Sequence, residues 1–516
     1  MATKKALSQH SVRQSTFAVS AKTSDILQLF LNPPITDNLG HDWSTGLIYF
    51  RGFAEPDISA TDSTQDIIGF CPAWLLTCQA TTQGGSVTLY RRSDNGRTHT
   101  RQKSQNDFSN QLKCLYATLQ HDLADTDIAV QSSSPHAFRG GLAGFIGYDP
   151  EAQARRQGDH FAAEASSLSA AMGHYDVFLK KEDHHWALYG PTDPTLSTIY
   201  SEINSYLTRA FSQSPATLDR SQQQLDAFQV IQPFKNVWQA EDYRRAFMGI
   251  QQYLADGDCY QVNLTQPFVA EVSGNLLDTL DALMTLTQAP YSGYMRVGQH
   301  EILSCSPELF LAFSGTAANT LKNQVLTRPI KGTFPRSSDP VLDLAYKERL
   351  THSEKDHSEN LMIVDLLRND LSKHAETGSV QVPVLFAVES FAQVHHLVSE
   401  IRATLNRDAT PLDVLLAALP GGSITGAPKK RAMEIIEELE AAPRGAYCGS
   451  MGYLNHDGSG QFNILIRTLQ QHGSHLVAWA GGGITAASQL DAEYQECFDK
   501  IKAILDCVNQ FHGSPS

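Results

Sequence analysis

Three glutamates in the sequence are candidate ligands for a metal ion. Glu493 and Glu496 are spaced i, i+3 in a predicted helix, and Lys500 follows on the same helix face. Glu359 opens the apolar run ENLMIVDLLRND, in which a charged side chain must be paired, bound to a ligand or at the end of the buried stretch. Because glutamates from separate helices suit a hard ion, the pattern favours Mg²⁺. A solvated, salt-bridged helix face is the alternative for Glu493 and Glu496.

A glycine-rich segment, GGSITGAPK at residues 421–429, could bind an anion through its backbone. It runs directly into a predicted helix, so its free N–H groups, the positive end of the helix dipole, Lys429 and Lys430 could receive a carboxylate or a phosphate. The segment lacks the Gly-Lys-Ser/Thr order of a Walker A loop. A plain glycine-rich turn is the alternative interpretation.

A second anion site is predicted further along the chain. The glycines at 481–483 follow a predicted strand and present another set of backbone amides. Arg467, predicted on a strand face opposite to Phe462 and Ile464, has a guanidinium that can bind a carboxylate through two hydrogen bonds. Two anion sites beside a metal ion imply a substrate with at least two carboxylates.

Three more side chains have types that could take part in catalysis. Lys331 lies between an apolar residue and a glycine in RPIKGT, and a lysine in a dry pocket has a lowered pKa and becomes an amine nucleophile. Glu308 in SPE can carry a proton, and His396 belongs to the pair His395-His396. On spacing alone, a surface lysine in a turn, an ordinary carboxylate and structural histidines are the alternatives.

The elements that must position these residues show mixed helix and strand patterns, with no internal repeat. Residues 342–371 predict one long helix, and the apolar character of its second half predicts that it is buried. The glycine-rich segment 140–148 predicts a closely packed strand. Further helices are predicted at 111–122, 242–255, 411–419, 429–440 and 493–506, and further strands at 47–50, 66–70, 86–90, 260–266, 447–454, 461–470 and 476–480.

Bulk composition restricts the class of protein. The formal net charge of -15 argues against a nucleic-acid partner, which would require a basic surface. No apolar stretch is long enough to span a membrane, and the N-terminus is not a secretory signal. The eight cysteines are scattered without CxxC pairs, which favours free, mostly buried thiols and a cytoplasmic location.

Several motifs between residues 306 and 500 resemble those of the chorismate-utilising family and occur in the same order. This family comprises anthranilate, aminodeoxychorismate, isochorismate and salicylate synthases. The resemblance implies an α/β (α+β) sandwich of two large antiparallel sheets flanked by helices, with the active site in the cleft between them. It also implies a chain divided into an N-terminal extension (1–24, expected to be flexible), an N-terminal region (25–235, ending in a polar linker at 213–227) and a chorismate-binding catalytic domain (236–510). The matching strings are SPE (306–308), RPIKGT (328–333), ENLMIVDLLRND (359–370), HHLVS (395–399), GGSITGAPK (421–429), AGGGI (480–484) and AEYQECFDK (492–500).

The family's site residues transfer to this sequence by their motifs. The resemblance implies that Glu359 and Glu496 bind Mg²⁺, with Glu493 beside them through water, and that Lys331 is a nucleophile and Glu308 a general acid/base. The remaining implied substrate-site residues are Arg467 and Tyr447 at the pyruvyl carboxylate, Gly482 and Gly483 at carboxylate oxygens, Thr425 and His396 along the ring, Lys500 near the metal, and Gly422 and Gln261.

Two positions distinguish the members of the family. Lys331 stands where anthranilate, isochorismate and salicylate synthases typically have alanine, and it is typical of enzymes that make 4-amino-4-deoxychorismate. Gln261 stands where enzymes that add water to chorismate usually have lysine. The resemblance therefore implies amination of chorismate. Because no Gly-x-Cys-x-Gly elbow is visible, the ammonia is expected to come from a separate glutamine amidotransferase subunit or from free ammonium. The alternatives are anthranilate synthase component I and a catalytically silent subunit that binds chorismate or tryptophan.

The sequence also departs from the family pattern in places. Leu309 follows SPE where arginine is common, and a polar insertion at 315–324 precedes RPIKGT. The leucine-leucine-glutamate-serine string associated with tryptophan feedback is absent near residues 47–50. Feedback control by tryptophan is therefore not expected.

Overall fold

Two large antiparallel sheets dominate the computed structural model, which confirms the predicted fold class. The structure describes residues 13–17, 22–31, 46–51, 66–79, 86–92, 99–104, 107–123, 137–150, 167–182, 185–191, 197–212, 227–315, 323–391, 394–440 and 442–512. The helices in these ranges are α1 (Thr23–Leu31), α2 (Phe108–Leu123), α3 (Ser197–Ser212), α4 (Ala240–Ala255), α5 (Leu280–Thr287), α6 (Pro340–Thr351), α7 (Glu354–Ser372), α8 (Pro411–Ala418), α9 (Lys429–Leu439) and α10 (Leu490–Asn509).

Each sheet has 12 strands in the described ranges, and we name them sheet I and sheet II. Sheet I contains β1 (Arg13–Phe17), β2 (Leu47–Phe50), β3 (Ile67–Gly69), β9 (Phe178–Glu182), β10 (His185–Gly190), β11 (Gln229–Asn236), β12 (Gln261–Ser273), β13 (Tyr291–Val297), β14 (His300–Ser306), β20 (Gly426–Ala427), β23 (Thr468–His472) and β24 (His475–Ile484). Sheet II contains β4 (Trp74–Gln79), β5 (Ser86–Arg92), β6 (His99–Ser104), β7 (Gly141–Ile146), β8 (Leu168–Tyr175), β15 (Leu309–Ser314), β16 (Gln324–Thr327), β17 (Ile330–Pro335), β18 (Gln381–Ser390), β19 (Val394–Thr404), β21 (Ser450–Asn455) and β22 (Ser459–Asn463).

The two predicted regions, 25–235 and 236–510, both contribute strands to both sheets. In sheet I, β2 pairs with β13, and in sheet II, β7 pairs with β21. The predicted extension 1–24 contains β1, which pairs with β10 at the edge of sheet I, so that segment is not wholly outside the fold. The predicted linker lies almost entirely outside the described residues, as does most of the polar insertion at 315–324.

Two of the places where the described chain passes from one sheet to the other are neighbours. Strand β14 ends at Ser306 in sheet I and β15 begins at Leu309 in sheet II, while β22 ends at Asn463 in sheet II and β23 begins at Thr468 in sheet I. The predicted continuous strand 461–470 is therefore wrong. Alternation of apolar and polar residues indicates a strand, but it does not reveal which sheet the strand joins.

The predicted helix at 342–371 is two helices. Helix α6 ends before His352, and α7 starts after Ser353, whose hydroxyl accepts a hydrogen bond from the backbone N–H of Asp356. The prediction that its apolar stretch is buried holds for one face only, because Ile363 is buried whereas Leu361 is 46% exposed. The other predicted helices and the packed glycine-rich strand at 140–148 are confirmed within a few residues at their ends.

The core fills the space between the sheets and beneath the helices. One cluster joins residues from facing strands of both sheets, including Ile48 and Ile302 from sheet I and Phe145 and Met451 from sheet II. Burial of each such side chain stabilises the fold by roughly 1.5–3 kcal/mol. All eight cysteines are free and six are buried, as predicted. None of the helices in the described part of the chain is long and apolar enough to cross a membrane.

Candidate active site

Glu308 and Arg467 lie at two neighbouring crossings between the sheets, β14 to β15 and β22 to β23. The N–H of Ile464 donates to the Glu308 carbonyl at 3.1 Å, and the N–H of Cys305 donates to the Arg467 carbonyl at 3.0 Å. The Ser306 hydroxyl also donates to the Ile464 carbonyl, at 2.6 Å. These bonds hold the two crossings side by side, so two candidate site residues that are far apart in the sequence lie on neighbouring backbone segments.

Glu308 is a buried carboxyl group. Burial raises its pKa to about 7, while the positive charges of Lys331 and Lys500 act in the opposite direction. The group therefore holds its proton in part of the population near neutral pH. A carboxyl tuned in this way can donate a proton to a leaving group and later accept one.

Lys331 lies on β17, next to a bulge in its pairing with β19. Gly332 adopts a φ of +78°, and a Cβ there would come within 2.7 Å of Leu350, so the bulge beside Lys331 favours glycine. The Lys331 ammonium is 3.9 Å from Glu359 Oε2 and its side chain is 17% exposed. Burial lowers the pKa of Lys331, and nearby Lys500 lowers it further, against the opposing effect of Glu359. The alternative interpretation, a surface lysine in a turn, does not fit this largely buried position on a strand.

The predicted metal ligands of helix α10 lie beside Gly482 of β24. A Cβ on Gly482 would be 3.2 Å from Glu493 Oε2 and 3.4 Å from Glu496 Oε1, so glycine leaves room for these carboxylates. Glu493 accepts a hydrogen bond of 2.7 Å from Ser488. Lys500 Nζ lies 2.5 Å from Glu496 Oε1 and donates to the Gly481 carbonyl at 2.9 Å. The predicted solvated face is only partly correct, because Glu493 is buried whereas Glu496 is 43% exposed.

Lys355 is a site residue that the sequence interpretation missed. Its ammonium is 3.8 Å from Glu359 Oε1, on the side of that carboxylate opposite to the oxygen that faces Lys331. The positive charge of Lys355 also lowers the pKa of Glu493 and of Glu496, whereas burial raises both. The i, i+4 spacing of Lys355 and Glu359 on α7 was the available signal.

The three glutamates are the type of donor set that a hard divalent cation prefers. Burial raises the pKa of Glu493, and the pKa of Glu496 is lowered because Lys500, Lys355 and Lys331 outweigh its burial. Among the described residues, no three acidic, histidine or cysteine side chains form a ready-made metal cluster. Instead, lysine ammonium groups lie next to these carboxylates and compensate their negative charge.

Arg467 is suited to bind an anion. It adopts a φ of +52°, which is uncommon for a residue other than glycine and aims the side chain away from a regular strand position. Burial lowers its pKa, and no carboxylate of the described chain forms a salt bridge with it. The prediction that Arg467 lies on a strand face is therefore wrong, but its availability for a carboxylate is supported.

His396 lies on β19, close to Arg467. Its Nδ1 is 2.9 Å from the Thr333 hydroxyl, and burial, assisted by the charge of Arg467, lowers its pKa to about 4. The ring is therefore neutral at neutral pH. His395 has a different environment, since its Nε2 is 3.1 Å from Asp343, and it ties β19 to helix α6.

Thr425, Gly422, Gln261 and Gly483 form a closely packed wall. The Thr425 hydroxyl donates to the Gly421 carbonyl at 2.9 Å, so its oxygen is left to accept hydrogen bonds. A Cβ on Gly483 would meet Gln261 Nε2 at 2.6 Å. Gln261 is fully buried, and its two side-chain polar atoms have no hydrogen-bond partner among the residues that the structure describes, which leaves both available to a ligand.

Of two predicted anion-binding groups, Lys429 is placed differently from expectation, whereas Tyr447 lies beside the strand of Gly482 and Gly483. Lys429 donates to Asp370 at 3.1 Å and to the Ala418 carbonyl at 2.8 Å, so it holds helix α7 and the end of helix α8. Tyr447 is buried, with its ring parallel to that of Trp479 at 6.2 Å. The structure therefore gives Lys429 a structural role and keeps Tyr447 close to β24.

The chain is similar to known chorismate-utilising enzymes. The chain is 41% identical over 387 residues to aminodeoxychorismate synthase component 1 from Escherichia coli, covering 75% of this chain and 81% of that protein. The protein of the same name from Klebsiella aerogenes is 40% identical over 395 residues, covering 75% and 82%. Anthranilate synthase component 1 from Acetivibrio thermocellus is 36% identical over 270 residues, covering 52% and 53%.

Solved structures with the same fold and a family model also match the chain. Anthranilate synthase component I from Streptococcus pneumoniae superposes with a TM-score of 0.66 and 25% identity, covering 88% of this chain and 95% of that one. The menaquinone-specific isochorismate synthase from Escherichia coli shares the fold, with a TM-score of 0.64 and 17% identity over 97% and 95%. The family model described as chorismate binding enzyme matches residues 75–506. The chain therefore belongs to the family of chorismate binding enzymes.

Proposed function

We propose that the chain is an aminodeoxychorismate synthase component I, which converts chorismate and ammonia to 4-amino-4-deoxychorismate. The observation that carries the proposal is Lys331, a partly buried lysine with a lowered pKa in the same charged site as Glu308 and Glu359. An amine in this position can act as a nucleophile. The names of the relatives at 40% and 41% identity support the same activity.

The proposed reaction proceeds through two allylic displacements. The neutral amine of Lys331 adds to C2 of chorismate, both ring double bonds shift by one position, and the C4 hydroxyl leaves as water with a proton from Glu308. The new secondary ammonium then returns one proton to the Glu308 carboxylate. Ammonia next adds at C4, both double bonds shift back, and Lys331 leaves C2 as a neutral amine with the proton from Glu308, which the new ammonium at C4 restores. The raised pKa of Glu308 and the lowered pKa of Lys331 both favour the protonation states that the first step needs.

Mg²⁺ is part of the proposal. Glu359 and Glu496 would hold the ion, with Glu493 beside them, because carboxylate oxygens are the ligands that Mg²⁺ prefers. When bound, the ion would neutralise the ring carboxylate of chorismate and help to polarise the leaving hydroxyl. Lys331, Lys355 and Lys500 balance the charge of these carboxylates in its absence.

The proposal also assigns the nitrogen source and the cellular location. We propose that a separate glutamine amidotransferase subunit delivers ammonia, in agreement with the words component 1 in the relatives' names. A cytoplasmic location fits the free cysteines. Free ammonium replaces the partner in the tests below.

Arg467 is expected to bind the pyruvyl carboxylate of chorismate. Arg467→Gln should raise the KM for chorismate about 100-fold, because a charge-assisted bond to a carboxylate is lost. Steady-state kinetics with saturating ammonium would measure the change. A variant with a KM within about two-fold of wild type would remove Arg467 from the substrate site.

Product analysis tests the proposed function. Purified protein would be incubated with chorismate, Mg²⁺ and ammonium, and the products separated by liquid chromatography and identified by mass spectrometry. The expected product is 4-amino-4-deoxychorismate, and EDTA is expected to abolish its formation. Anthranilate as the product would instead favour the component I of anthranilate synthase, the principal alternative. Isochorismate would contradict the interpretation of both Lys331 and Gln261.

A further inference from the structure

Arg444 and Glu440 form a buried ion pair outside the set of proposed site residues. Their side chains are 1% and 0% exposed. The guanidinium binds the carboxylate at both ends, with Nε 2.9 Å from Glu440 Oε2 and Nη2 2.6 Å from Oε1. A buried pair of this kind is costly unless its remaining donors and acceptors also find partners. Here those partners belong to the segments that carry the proposed substrate wall.

Arg444 ties down the loop that contains Thr425. Nη1 donates to the carbonyl of Ile424 at 3.0 Å, and Nη2 donates to the carbonyl of Asn263 on β12 at 2.8 Å. The N–H of Asn263 in turn donates to the carbonyl of Thr425 at 2.8 Å. The loop is thus fixed to β12 immediately before Thr425 and at Thr425 itself.

Glu440 holds the same strand from the other side. Its Oε1 accepts hydrogen bonds from the N–H of Thr265 at 3.0 Å and from the Thr265 hydroxyl at 2.7 Å. Thr265 and Gln261 both lie on β12, and Gln261 pairs with Ala427 at the end of the loop. The pair therefore joins helix α9, β12 and the loop into one unit.

The backbone of Arg444 extends the unit to Tyr447. The Arg444 carbonyl accepts hydrogen bonds from the N–H of Tyr447 at 3.1 Å and from Gln470 Nε2 at 3.0 Å. The guanidinium also lies 4.5 Å from the ring centre of Tyr148. Short series of hydrogen bonds thus connect Arg444 to the segments that contain Thr425, Gln261 and Tyr447.

We propose that Arg444 and Glu440 are positioning residues that hold the Thr425 loop, β12 and the Tyr447 turn in the arrangement that receives chorismate. Apolar residues of equal volume can match or exceed the stability of a buried ion pair, so stability alone does not account for it. A guanidinium group, whose several N–H donors have a fixed planar geometry, can bind two backbone carbonyls and a carboxylate at once, which a single ammonium group cannot. The inference rests on the proposed substrate wall, but not on the identity of the product.

The test compares Arg444→Lys with a matched control, Arg92→Lys. Arg444→Lys keeps the positive charge and loses the fork. Arg92 forms the same kind of buried bidentate pair with Asp176, and its other bond goes to the Cys71 carbonyl, so its contacts lie in the N-terminal half. We expect both variants to lower the melting temperature. Only Arg444→Lys should raise the Kd for chorismate, by about ten-fold, when calorimetry is performed well below the melting temperature.

Kinetics supply a second readout. Because Lys331 and Glu308 are held by β17 and by the sheet crossing, kcat should stay within about two-fold in Arg444→Lys while KM rises with Kd. Glu440→Gln, which keeps the shape of the side chain, should show the same rise in KM with a nearly unchanged kcat. It replaces Arg444→Lys in the test if that variant does not fold. A folded variant with unchanged chorismate affinity, or an equal loss of affinity in Arg92→Lys, would overturn the proposal. Because binding is measured with chorismate itself, the result stands whichever product the enzyme makes.

Discussion

Replacing Lys331 with alanine is expected to lower the rate of 4-amino-4-deoxychorismate formation by about 1000-fold or more, with little change in the melting temperature. The nucleophile supplies the route by which nitrogen arrives at C4, and loss of a covalent catalyst removes most of the rate. Alanine also leaves Glu359 with Lys355 as its remaining cation, so the site keeps part of its charge balance. The measurement is product formation at saturating chorismate and ammonium.

The matched control for this variant is Lys502→Ala. Lys502 lies on α10 with a side chain that is 66% exposed, and it pairs only with Asp506 in the described contacts. We expect wild-type activity from it. Intact-protein mass spectrometry of wild type with chorismate, without ammonium, should show an adduct with the mass of chorismate less one water, and Lys331→Ala should not form it. Undiminished amination by Lys331→Ala would falsify the covalent route while leaving the family assignment unchanged.

Sequence motifs were sufficient to locate most of the candidate site. Glu308, Lys331 and His396 each belong to a string that can be recognised, and the structure brings them into one charged region, with Arg467 close to His396. Their relative positions could not be predicted by the same means. Periodicity describes single strands, whereas the site depends on two crossings between sheets that hydrogen bonds hold side by side.

Contacts between distant residues account for the other differences. Lys429 was a reasonable anion ligand at a helix N-terminus, but Asp370 on another helix binds its ammonium. The sequence does not predict burial of Arg444 and Glu440, because a charged pair near the end of a helix is usually exposed. Their burial depends on β12 and the Thr425 loop closing over them, which is a tertiary effect.

Glu308→Gln is the second change with a large expected effect on activity. An amide cannot donate the proton that the leaving hydroxyl needs, so kcat should fall by roughly 10²–10⁴-fold. In wild type, the pKa of Glu308 near 7 implies that activity decreases as pH rises above about 7, because the acid loses its proton. That alkaline decrease should be absent from the residual activity of Glu308→Gln. If the variant has an unchanged pH profile, the decrease of activity at alkaline pH is caused by another group.

The same substitution should stabilise the protein at alkaline pH. The ordinary pKa of a glutamate is 4.5 and that of folded Glu308 is about 7, so between these values the folded state binds more protons than the unfolded state. The free energy of unfolding contributed by this group therefore falls as pH rises through that window, and the full cost of about 3 kcal/mol is present above pH 7. Glu308→Gln removes this cost. Its melting temperature should exceed that of wild type at pH 8 and approach it at pH 4.5.

Chemical denaturation at the two pH values would measure this difference, with Glu437→Gln as a control because Glu437 is exposed on helix α9. Since the carboxylate of Glu308 favours the charged form of Lys331, its removal also affects that amine. Lys331→Met and the double variant with Glu308→Gln separate the two contributions in a double-mutant cycle. A gain in stability with a loss of turnover is the expected combination for a carboxyl group that is kept buried, at a cost to the fold, because the reaction needs its proton. Equal stability of Glu308→Gln and wild type at pH 8 would show that the group is ionised without penalty, and it would then be a poor proton donor.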